Sequence, residues 1–475
     1  MNRSRTQAAP RPGRLDRWFE ITARKSTVAR EVRGGLTTFM AMAYIVVLNP
    51  LILTGATDID GTRLSAVSVT TMTAFSAFIA TVVMGAVGRV PLALAAALSV
   101  NAVVAYQIAP TVTWPQAMGL VVLEGVLIMV LAVSGARTAI MNAIPRDLKY
   151  AIGIGLGLFI ALIGLVNAGF VSRRPDADGT TVPVMLGQGN QLVGWPIVVF
   201  VVGLLLMIAL WVRKVPGAVV LSILVATVLG IVIESVAHPG GWGLVTPTVP
   251  DQVFALPDFS LFGRIDLVGV FTDIGTVTLL VFLFTLVLSG FFDAMGTIIA
   301  VSDEAGLVDA NGRMKRLGTV LSIDGVSAAF GGVTSSSANT VFVESAAGVG
   351  DGARTGLASV VTGGLFGITM FLVPLAAVVP QQAAAPALVL VGGLMVAQAR
   401  NIDWSNVEIS IPAFLVVALT PFTYSVTVGV GAGIIAHVVI KAARGKWREP
   451  GWLLWIVSAV FVLYFGIHAI EVLTG

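Results

Sequence analysis

SGFFDAMGTIIAV (Ser289 to Val301) and GGVTSSSANTVFVESAAGVG (Gly331 to Gly350) are the two runs against which the rest of the chain is read. Each holds one carboxylate, Asp293 and Glu344, among residues apolar enough to lie inside a bilayer. Small hydroxylated residues precede the second. A charged side chain at the bilayer centre costs ~2.5–3.5 kcal/mol on insertion scales, so both acids are functional candidates by default.

The surrounding chain fits that setting. Of 475 residues, 56% are hydrophobic and 11% charged, where a soluble domain carries about 25% charged residues. Apolar runs long enough for a ~30 Å hydrocarbon core recur from Gly34 to the C-terminus. The expected class is an all-α polytopic membrane protein in contact with lipid. A transmembrane barrel is excluded, because its strands alternate apolar and polar residues. The net charge of +3 resides in loops and is no nucleic-acid signal. Cysteine is absent and the three histidines are far apart, so neither a thiolate nor a histidine metal cluster is expected. With no Gly-x-Ser-x-Gly turn either, no enzyme constellation and no cofactor are expected.

Residues 1–33 are polar and rich in arginine, without an apolar core followed by a cleavage site. The positive-inside rule makes them a cytoplasmic tail on a multi-pass protein of the plasma or inner membrane. Apolar segments follow at about 34–54, 64–88, 91–110, 114–135, 147–168, 193–213 and 215–236. A polar loop at 237–272, rich in Pro, Gly and Asp, faces outward. The second series lies at about 273–301, 316–333, 338–350, 354–378, 384–400, 406–420 and 422–441. The C-terminal piece, 442–475, holds one more apolar stretch at 451–471, either a span or an interfacial helix. Seven segments (34–236), an outward loop and seven more (273–441) make about fourteen in an inverted repeat, the plan of many carriers with a midplane site between broken helices.

The third segment of each half is unusual. LSVNAVVAY (Leu98 to Tyr106) and SSANTVFVE (Ser336 to Glu344) align with Ser99 on Ser337, Asn101 on Asn339 and Val103 on Val341. The run Thr334 to Thr340 favours caps and extended backbone over helix interior. The expectation is a short extended piece, then a half-helix starting near Asn339 that offers free N–H groups to a ligand. Glu344 would sit one turn in, able to accept two N–H donors from a planar heterocycle; the bland reading is a local cap. Asp293 suits gaining and losing a proton, and its bland reading is an interhelical hydrogen bond. Thr297 adds a hydroxyl one turn on. Asn101 is a pocket contact or interhelical glue, Glu124 is expected to face other helices, and Asp324 is expected to be a structural hydrogen-bonding residue. GIGLG (Gly153 to Gly157) lies inside an apolar run with no strand–turn–helix context, so it is no dinucleotide loop.

REVRGGLTTFMAMAYIVVLNP (Arg30 to Pro50), GLGLFIALIGLVNAG (Gly155 to Gly169), FFDAMGT (Phe291 to Thr297), VESAAGVGDGARTGLASVVTG (Val343 to Gly363) and APALVLVGGLM (Ala385 to Met395) resemble the AzgA-like purine permeases, a branch of the nucleobase–cation symporter-2 family. The resemblance covers almost the whole chain after residue 29. It implies fourteen segments in a core domain (about 34–135 and 273–378) and a gate domain (about 145–236 and 384–441), proton-coupled import of adenine, guanine or hypoxanthine, and a homodimer. It puts the family's segment-eight acid on Asp293, its segment-ten acid on Glu344 and its segment-three asparagine on Asn101. Two departures are AAALSV, where the family usually has Pro-Gly-Met-Gly before that asparagine, and SSSANT in place of a Thr-rich run. On this reading Glu344, Asp293, Asn101, Asn339 and Thr297 bind substrate, and Asp293 and Glu344 couple protons. The alternatives are a carrier of uracil, xanthine or an inorganic anion, against which two acids at the site argue, and a small-solute channel.

Overall fold

The computed structural model describes residues 13–134, 145–174, 183–308, 314 and 316–474, without the side chains of 291–293, 295, 296, 299, 300 and 467–474. Among the described residues, 8 helices are long and apolar enough to cross a membrane. Shorter apolar helices lie at Thr276–Gly290, Leu317–Val333, Gly356–Thr369, Val407–Phe422 and Gly451–Gly466. With Gly451–Gly466 set aside as the extra C-terminal stretch, these and the two interrupted segments reproduce the two series of seven read from the sequence. The C-terminal helix, Gly451–Thr474, packs on Val426–Ala443 and on Thr276–Glu304.

After a short helix in the tail (Arg14–Phe19), the helix of the first apolar segment starts earlier than its apolar run. It spans Val28–Met42, its Thr27 side chain accepting from the Arg30 N–H, so the last turn of the polar tail is already helical. The rest of the tail that is described is docked. Phe19 and Ile21 bury against Leu357, and Glu20 pairs with Arg24, Arg89 and Arg316. The Arg24 hydrogen bond holds the Glu20 carboxyl below its ordinary range. The loop between the two series is anchored too. Trp242 is buried and its indole N–H donates to Glu234 at 2.6 Å. Asp258 accepts from the Ser68 hydroxyl at 2.5 Å, which keeps its carboxyl low.

The interrupted segments hold the centre. Strand β1 (Leu94–Ala96) and strand β4 (Asn339–Val341) pair antiparallel, Leu94 opposite Val341 and Ala96 opposite Asn339. A separate surface hairpin pairs β2 (Val171–Arg173) with β3 (Val184–Leu186). Extended backbone is tolerated at membrane depth only where protein satisfies it. Here the Leu94 N–H donates to the Thr81 hydroxyl at 2.9 Å, Ala93 N–H to the Ser345 hydroxyl at 3.0 Å, Ala97 N–H to Ala338 O and Phe342 N–H to Ala93 O. Each strand leads into a six-residue half-helix, Leu98–Val103 and Ser345–Gly350. The first continues through a π turn at Val104–Ile108.

The second half-helix therefore begins at Ser345, not near Asn339, and Glu344 is its N-cap rather than a residue one turn inside. The residue alignment between the halves also shifts. Asn101 is in a half-helix and Asn339 in a strand, so equal sequence offsets do not make them counterparts. By element order, Glu344 corresponds to Ala97, each preceding its half-helix. The three matched letters were chance spacing across unlike backbone.

Two bodies of helices are evident in the packing. Val28–Thr54, Ala66–Gly88, Trp114–Ser134, Thr276–Glu304, Leu317–Val333 and Gly356–Thr369 pack with the crossed strands, while Arg146–Asn167, Trp195–Val212, Ala218–Ala237, Gln381–Val396, Val407–Phe422 and Val426–Ala443 pack chiefly on one another.

Candidate functional site

The helix break after Met42 places Tyr44 beside the strand crossing, where its hydroxyl donates to Glu344 Oε1. Both residues line a cavity of about 110 Å³ with Ala97, Leu98, Ser99, Thr297 and Thr340 to Val343. Ile160, Val391 and Met395 close its other wall. The polar wall comes from the strand-bearing body and the apolar wall from the other, so the cavity lies where the two bodies meet. A planar apolar face with a polar edge is the kind of guest such a wall pair holds.

Glu344 is half-buried and Thr297 buried. The side chain of Asp293 lies outside the described residues; its backbone is one turn before Thr297 on Thr276–Glu304, the same helical face. The N–H groups expected to be free at the second half-helix are engaged. Ser345, Ala346 and Ala347 donate to the carbonyls of Phe342, Val343 and Glu344 at 2.9–3.1 Å, in tight turns that leave the carboxylate, not the backbone, facing the cavity.

The two asparagines stand behind the strands. Asn101 is fully buried and its amide donates to Asn49 Oδ1 at 2.5 Å. Asn49 in turn donates to the Thr73 hydroxyl and to the Ser336 carbonyl, which fixes the turn before β4. That turn carries Ser335 and Ser337 at positive φ, a conformation that such bonds hold in place. The Asn339 amide donates to the Ser76 hydroxyl and to Ser327 O. Neither asparagine lines the cavity.

Two participants were not singled out from sequence. Tyr44 left one signal, a hydroxyl-bearing ring in the otherwise apolar AMAYIVVL. Glu31, fully buried, accepts from the Ser26 hydroxyl and the backbone N–H groups of Arg354 and Thr355, tying the first helix to the turn after the second half-helix. Its signal was an acid inside the basic REVRGG run.

Paired broken segments that cross between the two helix bodies, beside a small cavity, are the plan of the inverted-repeat transporter fold. The fold is shared with the transmembrane domain of the cyanobacterial bicarbonate transporter BicA, at a TM-score of 0.59 and 14% identity over 85% of this chain and 97% of that one. SLC26A9 gives 0.61 and 13% identity over 94% of this chain and 74% of that one. The seven-plus-seven architecture is therefore the fold of this protein.

Residues 29–445 match the model of the permease family Xan_ur_permease, and the chain belongs to that family. Among its relatives is the guanine/hypoxanthine permease PbuG of Bacillus subtilis, 34% identical over 94% of this chain and 98% of the relative. The adenine permease AdeQ of Escherichia coli is 34% identical over 95% of this chain and 96% of its own length. The nucleobase transporter PlAzg2 of Paenibacillus larvae is 30% identical over 86% and 77%. The protein is a multi-pass membrane permease, not an enzyme.

Proposed function

We propose that this permease imports a purine nucleobase with protons, the base lying in the cavity between Glu344 and the Ile160–Val391–Met395 wall. The observation that carries this is the cavity itself: one carboxylate edge, oriented by Tyr44, opposite an apolar face. Glu344 accepts the N–H edge of the base, and Thr297 with the strand backbone adds polar contacts. The purine permeases among its relatives support the substrate class.

Asp293 takes the proton-coupling role with Glu344, supported by its place one turn from Thr297 on the helix that lines the cavity. Asn101 and Asn339 act through the backbone, holding the turn and strand that carry the polar wall. The strand-bearing body is the core (about 34–135 and 273–378) and the other the gate (about 145–236 and 384–441), and the two rock past each other to alternate access. The sparse contact between them supports that division. The N-terminus is cytoplasmic, in keeping with its basic residues, and the homodimer implied by the family resemblance belongs to the same reading.

Uptake of radiolabelled adenine, guanine, hypoxanthine, xanthine and uracil into cells lacking their own base carriers tests it. Saturable uptake competed by a purine is expected; no competition by any purine overturns the substrate assignment. Glu344→Gln, which replaces an acceptor pair by an amide that repels a donor edge, is expected to lower kcat/KM by at least a hundredfold.

A further inference from the structure

Next to the cavity, sharing Ala97 and Thr340 with it, lies a second, buried space lined also by Glu124, Asp324, Asn339, Gly290 and Val100. Glu124 is fully buried on Trp114–Ser134, and neither of its carboxylate oxygens has a hydrogen-bond partner. The Asn339 side-chain oxygen, also buried, has none. Its orientation is fixed, because its amide already donates to the Ser327 carbonyl, which only an N–H can satisfy. Among the described residues that line it, the space thus presents three unmatched acceptor atoms, and its one hydroxyl, on Thr340, is directed to Asp324. Buried acceptors left unmatched cost about 1–3 kcal/mol each, more for a charged group, and an uncompensated buried carboxylate costs several kcal/mol.

One donor resolves this arrangement. A proton on Glu124 turns an acceptor-only carboxylate into a hydroxyl donor with an acceptor left over. A metal cation would meet the same acceptors, but the space admits no water-sized sphere, whereas a proton needs no room. Gly290 is what lets the carboxyl lie there: a Cβ on it would come 2.6 Å from Glu124 Oε1.

We propose that Glu124 is a proton-binding site of the transport cycle, connected to the substrate cavity through Thr340 and Asp324. Thr340 lines both spaces, and its hydroxyl donates to Asp324 Oδ1 at 3.4 Å. Thr340 of strand β4 is thereby the residue the substrate cavity and the acid's space have in common beside Ala97. The step is a simple one: an O–H bond forms on Glu124 as a proton arrives from water by way of the cavity, and breaks as it leaves, with no other bond changed.

The groups facing Glu124 are few. Asp324 comes from Leu317–Val333, Asn339 and Thr340 from β4, Val100 from the first half-helix and Gly290 from Thr276–Glu304, whose Asp293 side chain lies outside the described residues. The short helix Leu267–Thr272 also packs on Trp114–Ser134; its own residues carry no charge, and Asp266 and Asp273 beside it lie near Gln116, toward the start of that helix. No Lys, Arg or His is among the described residues that line the space. Charge compensation by a cationic side chain is therefore not on offer there.

The inference deepens the proton-coupled reading above, and its test separates the two. In proteoliposomes, Glu124→Gln mimics the protonated acid. It is expected to keep base binding and base-for-base exchange within about threefold of wild type. Net uptake driven by an imposed pH gradient is expected to fall at least tenfold and to lose its dependence on pH. Unchanged proton-driven uptake and an unchanged pH profile in that variant overturn the assignment, as does wild-type uptake that follows a sodium gradient and ignores pH. If Glu124→Gln fails to reach the membrane, infrared difference spectra on acidification of Glu344→Gln protein decide, recorded with isotope-labelled glutamate and needing no substrate. A buried carboxyl C=O signal that shifts with the label and is retained when Glu31, also fully buried, is replaced by Gln supports the site, and its absence sinks it. Failure of wild-type protein to take up any purine refutes the substrate reading while leaving that infrared result to stand or fall alone.

Discussion

At the scale of single residues, Glu344 is the candidate the sequence made most visible, because a carboxylate in an apolar run has few structural excuses. What the sequence did not reveal is its backbone setting. Chain letters do not report where a strand stops, so a cap residue was read as an interior one. Tyr44 was harder still, since its importance lies in a partner some 300 residues away along the chain. Tyr44→Phe removes a donor that orients Glu344 Oε1. Hydrogen bonds to charged groups contribute about 1.5–3 kcal/mol, so kcat/KM for base uptake is expected to drop about ten- to a hundredfold with membrane expression unchanged. Uptake kinetics at wild-type level in that variant would show that Glu344 is positioned by something else. The Asn101–Asn339 correspondence shows the opposite limit. Two identical letters at equal offsets suggested equivalence, and unlike backbone conformations removed it.

At the scale of elements, apolar run length carried the reading well, and nearly every segment falls within a few residues of its expected place. The reason is physical: the bilayer sets helix length, and backbone groups leave no alternative but helices around the two protein-buried strands. Contacts between elements were legible only as family-like motifs. The structure explains why two of those motifs go together. Glu31 of the REVRGG run caps the backbone of Arg354 and Thr355, and Gly34 packs so tightly that a Cβ would stand 2.6 Å from the Ala353 Cβ and 2.7 Å from the Gly348 carbonyl. Glu31→Ala leaves the buried Thr355 N–H and the half-buried Arg354 N–H without their acceptor, so a loss of about 1–3 kcal/mol is expected from the buried one alone, read as a lowered Tm in detergent. The crossing of Trp114–Ser134 with Leu317–Val333 is closer still. A Cβ on Gly125 would lie 2.1 Å from the Ala329 nitrogen, and one on Gly325 2.7 Å from the Met129 nitrogen. Backbone cannot yield as a side-chain tip can. Gly125→Val is therefore expected to cost at least the 1–3 kcal/mol typical of overpacking, and an unchanged Tm would contradict this close contact. Because Glu124 neighbours Gly125, the same crossing also sets how the proposed proton site is buried.

At the scale of the whole molecule, the two-body arrangement follows from where dense packing stops. A few polar and aromatic contacts cross the boundary. Tyr106 of the strand-bearing body meets Tyr424 of the other at a ring separation of 5.6 Å, and Gln107 accepts from the Ser425 and Thr427 hydroxyls. The alternation of access proposed above would have to break contacts of this kind. The absence of cysteine makes the test clean. In a Tyr106→Cys/Tyr424→Cys double variant, a cleavable bifunctional thiol reagent is expected to abolish uptake, and cleaving the linker to restore it. Full uptake in cross-linked protein would mean that the two bodies do not move apart there.

The central claim is that the base sits against Glu344 in the cavity between the two bodies, and a structure determined with adenine or guanine bound tests it most directly. The account expects the N–H edge of the ring within hydrogen-bond reach of the Glu344 carboxylate, with one ring face on Ile160, Val391 and Met395. A base bound elsewhere, or one in the cavity whose N–H edge turns away from Glu344, would contradict it.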